Sequence, residues 1–225
     1  MSEANIFKRM GEFLRPARSI PRTPWTSDQR WKLTPLRAFV LVFGLSIFGF
    51  GEALLLKAGL GNSPWAVLAQ GVTRHTTLNV GEATFSISAL VLAIWFPLNE
   101  KPGLGTILNM LIIAVTFEIG YDHFPAVNSF ILQLIFILGG IALIGIGSGF
   151  YITCGLGPGP RDGLMTALHH RTGVRVGRVR LTLEILVFAI GWALGGTVGL
   201  GTALFALLIG NSVALSFKLV SKFAN

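Results

Sequence analysis

The sequence predicts an all-α, polytopic membrane protein of six transmembrane helices. They form two inverted three-helix repeats, each with a short half-helix led by glycine and proline. Three observations lead there: an apolar composition, the placement of the basic residues, and self-similarity at an offset of 96 positions. Of 225 residues, 52% are hydrophobic and 12% charged, against about 25% charged in ordinary soluble domains. Mean hydropathy is +0.68. This balance excludes collagen-like, disordered and disulfide-scaffold classes, and the single cysteine, Cys154, cannot form an internal bridge.

A spanning helix needs roughly 17 to 25 mostly apolar residues, and six runs meet or approach that length. They cover 36–56, 81–98, 104–120, 129–153, 179–194 and 200–217. The segment ahead of them, 1–35, reads as a basic cytoplasmic arm without the apolar core of a cleavable signal peptide. Within it, 7–18 could lie as an amphipathic helix on the membrane surface. Residues 36–128 then form the first membrane repeat and 129–225 the second.

The net charge is +8, but the basic residues do not form a stripe interleaved with stacking aromatics, so nucleic acid is excluded as a partner. They fall between the apolar runs instead. With the N-terminus inside, sixteen lysines and arginines lie on the inner side and only Lys57 and Arg74 on the outer. Both termini are therefore expected in the cytoplasm, with the basic loops against anionic lipid.

Shifting the chain by 96 positions aligns its halves without a gap. Ala58-Gly59-Leu60-Gly61-Asn62-Ser63-Pro64 falls on Cys154-Gly155-Leu156-Gly157-Pro158-Gly159-Pro160, and Gly103-Leu104-Gly105-Thr106 on Gly199-Leu200-Gly201-Thr202. From Gly51 to Phe124, roughly 21 of 74 positions are identical. Each repeat holds three spans, an odd number, so the second must run upside down. Charge agrees: the loop 57–80 carries two basic residues, whereas its counterpart 153–180 carries five arginines and two histidines. Inverted repeats are the usual plan of secondary transporters, with the substrate site near the midplane.

Each matched loop leads through its proline into a stretch of about ten residues, 65–74 and 162–171. That is about 15 Å of helix, half a span. Such a stretch can re-enter the membrane and aim the positive end of its dipole at an anion, or it can lie flat at the interface. The re-entrant case makes Pro64, Trp65, Pro160, Arg161 and Asp162 candidate substrate-binding residues. Asp162 would cap its half-helix and orient Arg161. Asn109 and Asn211, polar groups within the third and sixth spans, join them.

Glu52, Glu118 and Glu184 lie within predicted spans, where a carboxylate is costly, and so are candidate proton-coupling groups. Glu52 and Glu118 fall near outer span ends, within expected reach of water. Glu184 can pair with Arg180 one turn away. Thr106 and Thr202 are expected to satisfy local backbone. His169-His170 lack the spacing of a zinc pair, and neither metal nor cofactor is expected. Cys154 reads as a packing residue. No nucleotide loop, nucleophile elbow or metalloprotease motif occurs, so no enzyme activity is expected.

The run Gly155-Leu156-Gly157-Pro158-Gly159-Pro160-Arg161-Asp162-Gly163-Leu164-Met165, with Pro64-Trp65 and Pro102-Gly103-Leu104-Gly105-Thr106, resembles the YczE/YyaS/YitT bacterial membrane proteins, closest to the YczE branch. The resemblance runs from about Leu36 to the C-terminus. It implies a bacterial inner-membrane protein and carries no substrate. An aspartate often follows the Pro-Trp in that pattern, where this chain has Ala66. The leading expectation is thus a secondary transporter or exporter of a small, anionic solute; the alternative is a non-transporting scaffold or accessory subunit. A homodimer is compatible with so small a chain.

Overall fold

The computed structural model describes residues 20–223, so the segment 7–18 lies outside the described residues. Among the described residues nine helices follow one another: α1 (Pro35–Ala58), α2 (Pro64–Thr73), α3 (Val80–Ala93), α4 (Trp95–Leu98), α5 (Leu104–His123), α6 (Phe130–Thr153), α7 (Pro160–Thr172), α8 (Val176–Ala193) and α9 (Leu200–Ser221). Five stretches of the described residues are helical, long and apolar enough to cross a membrane: α1, the near-continuous α3–α4, α5, α6 and α9. α8 is comparable in length at 18 residues but carries Arg178, Arg180 and Glu184. Large apolar side chains such as Phe39, Leu90, Ile131 and Leu207 stand exposed around the bundle. A soluble protein would not leave that much apolar surface open; this is a helical membrane protein.

Local sequence sets the helix ends. Thr34 caps α1 with Pro35 at its first position, and Gly59 closes it in the left-handed region at φ 71°. Ser63 and Pro64 do the same for the start of α2. Asn79 and Glu82 form a capping box on α3. At the start of α5, where Gly103 has no side chain, its own N–H donates to Thr106 Oγ1 at 3.1 Å.

Tertiary packing is organised in matching pairs. α1 and α6 cross antiparallel at the centre, Gly44 against Gly147 and Gly51 against Gly140, with Gly44 and Gly140, and Gly51 and Gly147, at positions 96 apart. A Cβ on Gly51 would lie 2.8 Å from the Gly140 carbonyl oxygen, and one on Gly140 would lie 2.7 Å from that of Gly51. Small residues let helices approach in this way where lipid offers no hydrophobic drive. α5 packs on α1 as α9 packs on α6. α2 lies along α8, while α7 lies along α3 and α4.

The turns cross over in the same sense. Gly105 N–H donates to Leu156 O at 2.8 Å, and Gly201 N–H donates to Leu60 O at 2.8 Å. Gly61 and Gly157 hold φ of 110° and 112°, a conformation that glycine adopts readily. These contacts group the helix ends into two sets. One contains the turn after α1, His75 and the segment before α9, with His75 Nε2 3.1 Å from Leu194 O. The other contains the turn after α6, where Arg171 donates to Pro97 O at 2.6 Å. Part of the basic arm belongs to this second end: Trp25 donates to Thr153 Oγ1 at 3.0 Å, and Ser27 N–H to Cys154 O at 2.9 Å. Cys154 itself is fully buried in that cluster, as expected of a packing residue.

Candidate functional site

α2 and α7 are too short to span, and each lies beside one half of a longer element. In α2, Gly71 packs on Gly191 toward the far end of α8, while Trp65 shares a cluster with Val187, Val91, Trp95 and Leu164 of α7. In α7, Gly163 packs on the Trp95 ring and Arg171 reaches Pro97. Both half-helices therefore begin in the interior and run outward to opposite ends of the bundle. Their N-termini converge, and the guanidinium carbon of Arg161 lies 4.9 Å from the Trp65 ring centre.

Where they converge there is a cavity of about 150 Å³. Six pairs of wall residues occupy equivalent positions in the two halves: Phe48 and Ile144, Glu52 and Ser148, Ser63 and Gly159, Trp65 and Arg161, Asn109 and Phe205, Ile113 and Ile209. Pro64, Tyr151, Asp162, Arg180 and Glu184 also reach it. The polar groups differ in how they are held. Ser63 Oγ donates to Glu52 Oε2 at 2.7 Å and accepts from Ala66 N–H. Glu52 is only 2% exposed, and its other oxygen, Oε1, is buried with no partner among the described residues. Tyr151 donates to Asp162 Oδ2 at 2.6 Å. Arg180 pairs with Glu184 at 2.9 Å, the turn-spaced pair expected from the sequence. The Arg161 side chain lies over Trp65 and makes no ion pair or hydrogen bond with the described residues. The glutamate and serine form the closed end of the cavity; Asp162, Arg180 and Glu184 lie at its accessible end.

Of the sequence candidates, Pro64, Trp65, Asn109, Arg161, Asp162, Glu52 and Glu184 come together here. Pro160 is buried beside the cavity, its carbonyl accepting from Trp95 Nε1 at 3.1 Å. Asn211 is exposed on the outside of α9, away from the cavity. Glu118 also lies elsewhere: its Oε2 accepts Gly81 N–H at 2.7 Å at the start of α3. Two expectations are corrected. Glu52 is not open to water, because residues 59–63 fold back beside the last turns of α1 and seal it. Asp162 is not the N-cap of its half-helix; Gly159 is, with no capping side chain, which frees Asp162 for Tyr151. Thr106 holds the local Gly103 N–H and also donates across the fold to Pro158 O at 2.8 Å.

Sequence reading missed Ser63 and Tyr151. The serine was legible as an N-cap directly before a helix-initiating proline. The tyrosine carried no motif, and only the course of the turn 154–159 between α6 and α7 brings it to Asp162.

The family model for DUF6198, a family of unknown function, matches residues 35–218. The chain belongs to that family. It is 41% identical over 205 residues to an uncharacterized protein of Haemophilus influenzae, covering 91% of this chain and 94% of the relative. It is 36% identical to the uncharacterized membrane protein YczE of Bacillus subtilis, covering 74% and 79%. To the uncharacterized protein YyaS of the same organism it is 27% identical, covering 80% and 91%. The resemblance to YczE-like proteins thus holds over most of the chain. No solved structure matches it.

Proposed function

We propose that this protein is a secondary transporter of a small solute bearing an anionic group. It works without covalent chemistry, by alternating access of two inverted repeats that together supply six spans, α8 being the sixth. The observation that carries this reading is the cavity wall: six pairs of equivalent positions line it where two half-helices converge. A site on such an axis can be closed from either end by nearly the same motion of either half. The uncapped N-terminus of α7 and the Arg161 guanidinium, whose N–H groups have no acceptor among the described residues, favour negative charge.

The basic-residue count supports cytoplasmic termini, with the arginines of α7 and α8 against anionic lipid of a bacterial inner membrane. In that orientation Asp162, Arg180 and Glu184 lie on the cytoplasmic side and Glu52 behind them, which is the arrangement of an inward-facing carrier. Glu52, sealed and half-satisfied, is the best placed of the three acids to carry a coupling proton.

The test is accessibility of the cavity from both sides. In a Cys154→Ala background, Ser148→Cys and Ile209→Cys are probed with a membrane-impermeant thiol reagent in right-side-out and inside-out vesicles. A carrier predicts reaction from both sides. Reaction from one side only, or from neither, removes this reading and favours a scaffold or accessory subunit.

A further inference from the structure

On the cavity wall Arg180 is ion-paired with Glu184, and Asp162 accepts from the Tyr151 hydroxyl. Glu52 and Asp162 attract Arg161 electrostatically, but neither forms an ion pair or hydrogen bond with it. Arg161 has five N–H donors and, among the described residues, no acceptor, only the face of Trp65. Glu52 is buried, with Oε2 on Ser63 and Oε1 without a partner. These two share the cavity but do not meet as an ion pair. Each is held by its own element: Glu52 in the last two turns of α1 and tied to Ser63, Arg161 at the second position of α7 and laid on an indole ring. They attract one another without forming an ion pair, and a carboxylate oxygen buried without a hydrogen bond is unfavourable.

We infer that the solute is a small zwitterion, an amino acid or its close analogue. Its carboxylate lies on Arg161 and the open N-terminus of α7, and its ammonium on Glu52. This rests on the transporter reading and narrows its substrate. A simple anion would satisfy Arg161 while facing the open oxygen of Glu52; a simple amine would do the reverse. One molecule with both groups satisfies both. A cavity of about 150 Å³ has the volume of one that admits benzene, which accommodates a solute of about six to eight non-hydrogen atoms. That is the scale of alanine or serine. The apolar wall of Phe48, Ile113, Ile144 and Phe205 suits a short aliphatic side chain.

The experiment is calorimetric titration of the purified full-length protein with L-alanine, β-alanine, propionate and n-propylamine. One of the two amino acids is expected to bind at least about tenfold more tightly than either single-charge analogue, because an analogue that has only one of the two charges leaves the Arg161 donors or Glu52 Oε1 without a hydrogen-bond partner. Glu52→Gln is expected to reduce that amino acid to the level of propionate, with unliganded thermal stability recorded to show that the variant is folded. If propionate binds as well as the amino acids, or if neither amino acid binds, the zwitterion is wrong; the wild-type series alone decides this. Two-sided labelling of the cavity cysteines alongside propionate binding leaves the carrier standing without the zwitterion. Amino-acid binding with one-sided labelling leaves the zwitterion site and removes the carrier.

Discussion

Arg161 and Trp65 occupy equivalent positions in the two halves of the chain, and they touch, the guanidinium carbon 4.9 Å from the ring centre. Two half-helices with the same Gly-Leu-Gly-X-X-Pro lead thus present different chemistry at one point, a cation from one and an aromatic face from the other. A cation–π contact of this kind is worth about 0.5–2 kcal/mol, and it directs the arginine without consuming its donors. Trp65→Ala is expected to weaken solute binding by roughly three- to tenfold, whereas Trp65→Phe keeps most of it. Calorimetry with the solute that wild type binds measures both.

The two glycine turns are a stricter case. Gly61 and Gly157 have φ of 110° and 112°, and a Cβ on Gly61 would lie 2.6 Å from Thr202 Oγ1, while one on Gly157 would lie 2.9 Å from Thr106 Oγ1. Strain and overpacking add, so Gly61→Ala or Gly157→Ala is expected to cost about 2–4 kcal/mol. Gly210→Ala meets nothing within 4 Å and is expected to change stability by less than about 0.5 kcal/mol. Denaturation in detergent micelles, with all three compared to wild type, measures the contrast.

Ser63 has two tasks, capping α2 through Ala66 N–H and holding Glu52. Ser63→Ala removes both, and a destabilisation of about 1–3 kcal/mol is expected in the same denaturation assay. Ser63→Thr keeps the hydroxyl and should recover most of it. Equal destabilisation by the two variants would show that the hydroxyl is not what matters.

Glu118 separates a structural acid from a coupling one. Its contact with Gly81 N–H places it at the start of α3, outside the cavity. Glu118→Gln is expected to lower stability by about 0.5–1.5 kcal/mol and to leave cavity labelling and solute binding unchanged. A change in solute affinity with intact stability would return Glu118 to the transport path.

The two sets of helix ends can be assigned to sides directly. His75 and Arg171 end α2 and α7 at opposite ends of the bundle and are both exposed. In a Cys154→Ala background, His75→Cys is expected to react with impermeant reagent only from outside and Arg171→Cys only from inside. Reaction of both from the same side would falsify the inverted arrangement.

Much of this was legible in the chain because it depends on local order. Apolar runs marked six expected spans, and five of them are helices long and apolar enough to cross a membrane; the sixth, α8, carries Arg178, Arg180 and Glu184. Gly-Leu-Gly and proline marked where helices stop and half-helices start, since proline at a first position and glycine in the left-handed region are properties of single residues. The offset of 96 relates six pairs of residues that line the cavity. Ser63, before its proline, could have been read in the same way.

Burial and mutual approach could not be read, because they depend on where distant backbone segments come to rest. Glu52 looked solvated from its place near a helix end; the folded-back turn before α2 seals it. Asp162 looked like a cap, but the turn between α6 and α7 brings it to the Tyr151 hydroxyl instead. Asn109 and Asn211 looked alike as polar residues in apolar spans, yet one faces the cavity and the other the outside, a difference of helix rotation fixed by packing. Sequence by itself determined the membrane class, the helix ends and the internal repeat. Tertiary structure decided which charged groups share one cavity, because the close glycine crossings of α1 with α6, and of each turn with the opposite half, bring Glu52 and Arg161 to the same wall.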